Sequence, residues 1–141
     1  MKKIILLLFI SFSISQEMPW GGVSVATSDN LDALSINPAG LGIQRGNQGG
    51  LSFFNMTEKN TIHLANRDGG FGSTFRLENS ENASNYFYSL GLGFELGTPD
   101  VLGGIQWFSE QRFRFGTLVR PMNSLSIGLT TDYNQKIGEW D

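Results

Sequence analysis

The chain has 141 residues, no cysteine, 18 glycines, 11 phenylalanines, 16% charged residues and a formal net charge of −3. A disulfide-stapled domain and a cysteine-ligated metal site are excluded, and the many aromatics and few charges oppose a disordered tail. No basic excess draws nucleic acid, so none is expected as a partner, and the length suits one domain.

Residues 1–15 read as an export signal. Met1-Lys2-Lys3 is a cationic start, Ile4 to Ile10 a short apolar run, and Ser13 and Ser15 supply the small residues ahead of cleavage before Gln16. The run is far too short to span a bilayer as a helix, and without cysteine a lipid-anchored lipoprotein is excluded. The expectation is an exported protein.

Residues 16–48 form a segment of different character. Ser28 or Asp29 can cap a short helix carrying Leu31, Leu34 and Ile36, which Asn37-Pro38-Ala39-Gly40-Leu41-Gly42 ends in a tight corner. Pro38 drives Asn37 out of the helical region, and Gly40 and Gly42 permit turns.

From residue 49 to 141 the period is two. Tyr86, Tyr88, Leu90, Leu92, Phe94 and Leu96 alternate with Phe87, Ser89, Gly91, Gly93 and Glu95, a strand long enough to cross a membrane when tilted. The same alternation sets Phe71, Phe75 and Leu77 against Gly72, Thr74, Arg76 and Glu78. It sets Phe113, Phe115, Thr117 and Val119 against Arg112, Arg114, Gly116 and Leu118, and Leu125, Ile127, Leu129, Thr131 and Tyr133 against Ser126, Gly128, Thr130 and Asp132. Weaker strands are expected at 50–57, 60–67 and 100–109. Short turns at Glu58-Lys59, Asp68-Gly69, Gly97-Thr98-Pro99 and Pro121-Met122-Asn123, and a longer loop from Asn79 to Asn85, complete an antiparallel up-and-down meander of about seven strands.

A soluble antiparallel sheet also alternates, with its polar face in water. Here the second face carries mostly glycine, serine and isolated charges, where a solvated face would be dense in lysine, glutamate and threonine. Small residues toward a lumen and aromatics toward lipid fit part of a transmembrane β-barrel better. Tyr86, Tyr88, Trp107, Phe108, Tyr133 and Trp140 then belong to interfacial girdles. Arg76, Glu78, Glu95, Arg112 and Arg114 fall on the small-residue face, so they are expected to line the lumen, either pairing across strands or presenting a polar path. About seven strands are too few for a closed barrel, so the expectation is a fragment, a sheet completed by other copies, or no membrane barrel at all.

The run Ala26-Thr27-Ser28-Asp29-Asn30-Leu31-Asp32-Ala33-Leu34-Ser35-Ile36-Asn37-Pro38-Ala39-Gly40-Leu41 resembles the N-terminal signature of the FadL and PorV/PorQ group of bacterial outer-membrane proteins. Asp29, Ala33, Asn37, Pro38, Ala39, Gly40 and Leu41 match its acidic stretch and its N-P-A-G-L motif in order and spacing. The resemblance implies a barrel whose N-terminal segment folds back as a plug or gate. It also implies passage of hydrophobic molecules or support of protein secretion, with outer-membrane lipid and secretion components as partners.

No catalytic constellation is present. His63 is the only histidine, on a candidate strand where a lumen-facing or hydrogen-bonded role is expected. There is no nucleophile elbow, phosphate-binding loop or dinucleotide fingerprint, and Gly91-Leu92-Gly93 is read as close packing within a strand. No cofactor and no enzymatic activity are expected. The leading expectation is a noncatalytic outer-membrane barrel protein. Two alternatives stay open: the N-terminal membrane segment of a longer protein such as a signal-peptide-peptidase-like protease, and a secreted soluble β-sheet adhesion protein.

Overall fold

The computed structural model describes residues 24–27, 30–43, 46–56, 59–122 and 125–141. The expected signal segment, the cap residues Ser28 and Asp29, Thr57 at the end of an expected strand, and the turn residues Glu58 and Asn123 lie outside them.

The strands form one antiparallel meander in sequence order: β1 (Gln48–Met56), β2 (Lys59–Asp68), β3 (Phe71–Ser80), β4 (Ser84–Glu95), β5 (Val101–Phe108), β6 (Arg112–Met122), β7 (Leu125–Asn134) and the short β8 (Glu139–Trp140). All four strongly alternating segments and the three weaker ones are strands, and β8 is an eighth that two residues of sequence could not announce. The sheet is open: β1 and β8 pair with one neighbour each and not with each other. Among the described residues no helix is long and apolar enough to cross a membrane.

The connections differ from expectation in several places: Lys59 and Asp68 belong to β2, Pro121 and Met122 belong to β6, and an unexpected turn joins β5 to β6. The loop expected over Asn79 to Asn85 shrinks to residues 81–83, because β3 runs to Ser80 and β4 starts at Ser84. Ser80 donates its backbone N–H to the Ala83 carbonyl at 2.9 Å, which closes the hairpin tightly. In the turn between β5 and β6, Gln111 holds φ of 60°, a left-handed conformation that costs a side-chain-bearing residue about 1–2 kcal/mol. Gln111→Gly is therefore expected to stabilise the fold by about 1 kcal/mol in denaturant unfolding.

Directly opposed residues share a face, so the register sorts every side chain. Phe71, Phe75 and Leu77 stand opposite Leu92, Tyr88 and Tyr86; Leu90 and Leu92 opposite Trp107 and Ile105; Phe113 and Val119 opposite Tyr133 and Ile127. The other face joins Arg67 to Gly72, His63 to Arg76, Gly91 to Gln106, and Arg114 to Asp132. The first face is exposed: Leu92 is 53% and Phe94 48% accessible, whereas Arg67 and Gln106 on the second are at 0%. Among the described residues seventeen large hydrophobics are exposed and seven hydrophobics are buried. The sheet thus turns its apolar side outward and its polar side under cover.

The cover is the N-terminal segment. It folds as two 3-10 turns, Leu31–Leu34 and Pro38–Gly42. The single short helix and corner expected there are corrected to this pair: Asn37 is extended, as a residue before proline should be, but Pro38 starts the second turn, where its lack of an N–H and its fixed φ cost nothing. Both buried clusters are built on this segment: Ala33, Leu34 and Leu41 with Ala65, and Ala39 with Leu102 and Leu118.

Candidate functional site: the covered face of the sheet

The segment lies close because glycines floor much of the wall beneath it. Gly72, Gly91, Gly93, Gly104, Gly116 and Gly128 trace a path across β3 to β7 under it, the first two against the Leu34 and Leu41 side chains, Gly116 against Asn37 and Pro38, and Gly93, Gly104 and Gly128 against its backbone. A Cβ on Gly104 would sit 2.2 Å from the Pro38 carbonyl carbon and 2.3 Å from the Ala39 nitrogen, and one on Gly93 2.3 Å from the Gly42 nitrogen. Only glycine allows backbone to approach backbone this closely. Close packing, expected for Gly91 and Gly93, is what the geometry shows, and its partner is the plug-like segment.

Polar side chains from four strands then fasten the backbone. Arg67 of β2, fully buried, donates through Nη2 to the carbonyls of Leu41 at 3.3 Å and of Ile43. Gln106 of β5 donates through Nε2 to the Leu34 carbonyl at 2.7 Å and to Ser89 Oγ at 2.8 Å, and Ser89 bonds Thr74 at 2.6 Å. Arg114 of β6 donates through Nη1 to the Ser35 carbonyl at 2.6 Å and grips Asp132 with Nε and Nη2 at 2.7 and 2.9 Å. Ser126 of β7 donates to the Ala26 carbonyl. The Leu34, Ser35, Leu41 and Ile43 carbonyls end or follow short 3-10 turns, and under cover each would stay unsatisfied without a donor from the wall.

Asn37 is the pivot of the motif. Its Oδ1 accepts the Ala39 N–H at 3.1 Å, capping the second turn, while its Nδ2 donates to the carbonyls of Val25 at 2.9 Å and Thr117 at 3.0 Å. One amide therefore satisfies both ends of its own segment and a strand of the wall. Asn37, Ala33, Ala39 and Leu41 are at 0% exposure, and Pro38 and Gly40 are buried with them. Asp29, the remaining residue of the matched motif, lies outside the described residues.

The charges expected on this face are on it, with different partners. Arg76 pairs with Glu78 two residues along its own strand at 3.1 Å, and Arg112 reaches Asp132 at 3.2 Å, so Asp132 serves two arginines. Glu95 shares the face by register but is exposed, and with Asp100, Arg120, Leu102 and Ile43 it lines an open cavity of about 870 Å3. Phe108 is corrected. It opposes Ser89 and Arg112 on the covered face, with the Arg112 guanidinium 4.2 Å over its ring, and is no part of an outer girdle. Tyr88 and Trp107 do meet on the outer face, edge to face at 5.5 Å, and Trp140 packs on Tyr133 at 4.8 Å.

Sequence reasoning missed Arg67 and Gln106 as residues that hold the segment down, and Asp132 as the carboxylate that orients Arg114. The signal for Asp132 was its place in a period-two strand of the same parity as Ser126 and Gly128. For Arg67 and Gln106, which serve carbonyls far away in sequence, only the register reveals the role.

Arg67→Met would keep the volume and strip the donor from two buried carbonyls. A loss of about 2–3 kcal/mol in unfolding free energy is expected, with earlier cleavage of residues 30–43 by protease.

No family model, no curated protein and no solved structure matches the chain.

Proposed function

We propose that this chain forms part of the wall of an outer-membrane β-barrel, with residues 30–43 as a plug on the lumen side, and that it is noncatalytic. The observation that carries the reading is the inverted polarity of the sheet: apolar side chains on the exposed face of the long strands, buried polar ones beneath the plug. Water opposes such a face, since exposing a large apolar side chain forfeits about 1.5–3 kcal/mol relative to burying it, whereas hydrocarbon welcomes it. Strand length agrees: β1 to β4, β6 and β7 have 9 to 12 residues, close to the roughly 9–11 a tilted strand needs to cross.

Because an open sheet edge has no place in lipid, the free edges of β1 and β8 pair with further strands in the membrane. This requirement favours a wall segment within a larger barrel or assembly, including the membrane portion of a longer protein. It counts against a secreted soluble sheet. In keeping with the resemblance to the FadL and PorV/PorQ group, the finished barrel would pass hydrophobic molecules or serve protein secretion.

The test is fractionation of bacteria expressing the full reading frame, followed by gel mobility with and without heating. Recovery in the outer membrane as a heat-modifiable band is expected. Recovery as a soluble periplasmic or extracellular protein would overturn the reading.

A further inference from the structure

On the covered face, away from the plug, β2 to β6 and the turn after β5 enclose a small pocket of about 80 Å3 whose lining includes His63, Arg76, Phe87, Phe108, Ser109 and Arg112. Two arginines enter one pocket, each laid over a phenylalanine: Arg76 4.5 Å above Phe87, and Arg112 4.2 Å above Phe108. An aromatic face orients a guanidinium without consuming its in-plane N–H donors, so both forks are held in place and remain able to bond.

Those donors are only partly used. The nearest carboxylate to Arg76 is Glu78, with Oε1 3.1 Å from Nε in an ion pair whose alignment falls short of a hydrogen bond. Arg112 touches Asp132 through Nη1 at 3.2 Å, but both oxygens of Asp132 are already gripped by Arg114. The Nε–H groups of Arg76 and Arg112 are buried and donate to no acceptor. A third carboxylate, Glu110, sits at the pocket's edge on the exposed turn, where water screens it.

We propose that this pocket is a binding site for a compact oxyanion, a carboxylate or phosphate group, held between Arg76 and Arg112. An acceptor with two or three oxygens matches planar forks that keep unspent donors, and a volume of about 80 Å3 suits such a group. Ser109 adds a hydroxyl and His63 an imidazole edge. The site stands apart from the barrel reading, because it needs only the covered face of the sheet.

The chain's only histidine makes the test direct. Imidazole NMR of the full chain in detergent, titrated in turn with inorganic phosphate and with acetate at fixed pH and ionic strength, should give a saturable shift of the His63 resonances. Arg112→Gln and Arg76→Gln should each weaken it at least tenfold, and Lys136→Gln on the exposed β7–β8 turn should leave it unchanged. Saturation by phosphate alone assigns the pocket to phosphate groups, and saturation by acetate alone assigns it to carboxylates. Absence of a saturable shift in the wild-type protein, or equal affinity in Arg112→Gln, overturns the proposal.

Discussion

Gly104→Val should release the plug. The first atom of the new side chain would fall within 2.3 Å of the Pro38 and Ala39 backbone, and neither can yield by turning a side chain. The second 3-10 turn must lift, taking Ala39 away from Leu102 and Leu118 and the Asn37 amide away from Thr117. Overpacking alone costs about 1–3 kcal/mol, and with the loss of one of two buried clusters the expected destabilisation is about 3 kcal/mol or more. Denaturant unfolding measures it, and limited proteolysis of residues 30–43 reports whether the segment has left the wall. Gly49→Ala is the control. Its Cβ would lie 4.0 Å from the Ala65 carbonyl, an ordinary contact, so a change within about 0.5 kcal/mol is expected.

Leu90→Arg should block assembly. Leu90 is exposed at the middle of β4, between Ser73 of β3 and Trp107 of β5, within the apolar band. If that band faces hydrocarbon, an arginine near the midplane costs about 2–4 kcal/mol, while one at Tyr86, nearer the strand end, costs about 0–1 kcal/mol. On a sheet face bathed in water, Leu90→Arg would change stability by less than about 0.5 kcal/mol. The yield of folded protein in lipid vesicles separates the cases. A steep loss for Leu90→Arg with little loss for Tyr86→Arg is the expected result, and equal yields would refute a lipid-facing band.

The wall was legible in the sequence wherever one face was consistently large. β3, β4, β6 and β7 declare themselves because Phe, Tyr and Leu recur at every second position for most of their length. β5 is obscured by Gly103 and Gly104 in succession and β1 by Gly49 and Gly50, which flatten the contrast between faces. In β5 one of those glycines is there for the plug. Thus the feature that weakens the pattern of that strand is also what makes the packing possible.

The plug was half legible. Asn37-Pro38 fixes an extended residue before a turn, which local sterics dictate and the structure shows. Its two 3-10 turns have too few residues to display a helical period, and apart from the Asn37 cap on the second, their carbonyl ends are satisfied from the wall. Asn30 precedes the first turn without a side-chain cap bond, and the Leu34 and Ser35 carbonyls that follow are met by Gln106 and Arg114, more than seventy residues later. Such partners follow from register across five strands. The charged residues Arg76, Arg112 and Arg114 could be assigned a face from parity alone, but the partners of Arg112 and Arg114 depend on which residue of β7 lies opposite.

The central claim is that the outer face meets lipid and the covered face does not. A chain without cysteine permits single nitroxide labels on the outer face of β4, placed one at a time at Tyr86, Tyr88, Leu90, Leu92 and Phe94, with Glu110 on the exposed turn as the reference. In lipid vesicles, accessibility to oxygen should be high and accessibility to a water-soluble nickel reagent low at Leu90, Leu92 and Phe94, with the opposite balance at Glu110. That contrast is the predicted result. Nickel accessibility at Leu90, Leu92 and Phe94 equal to that of the exposed turn at Glu110 would contradict the account.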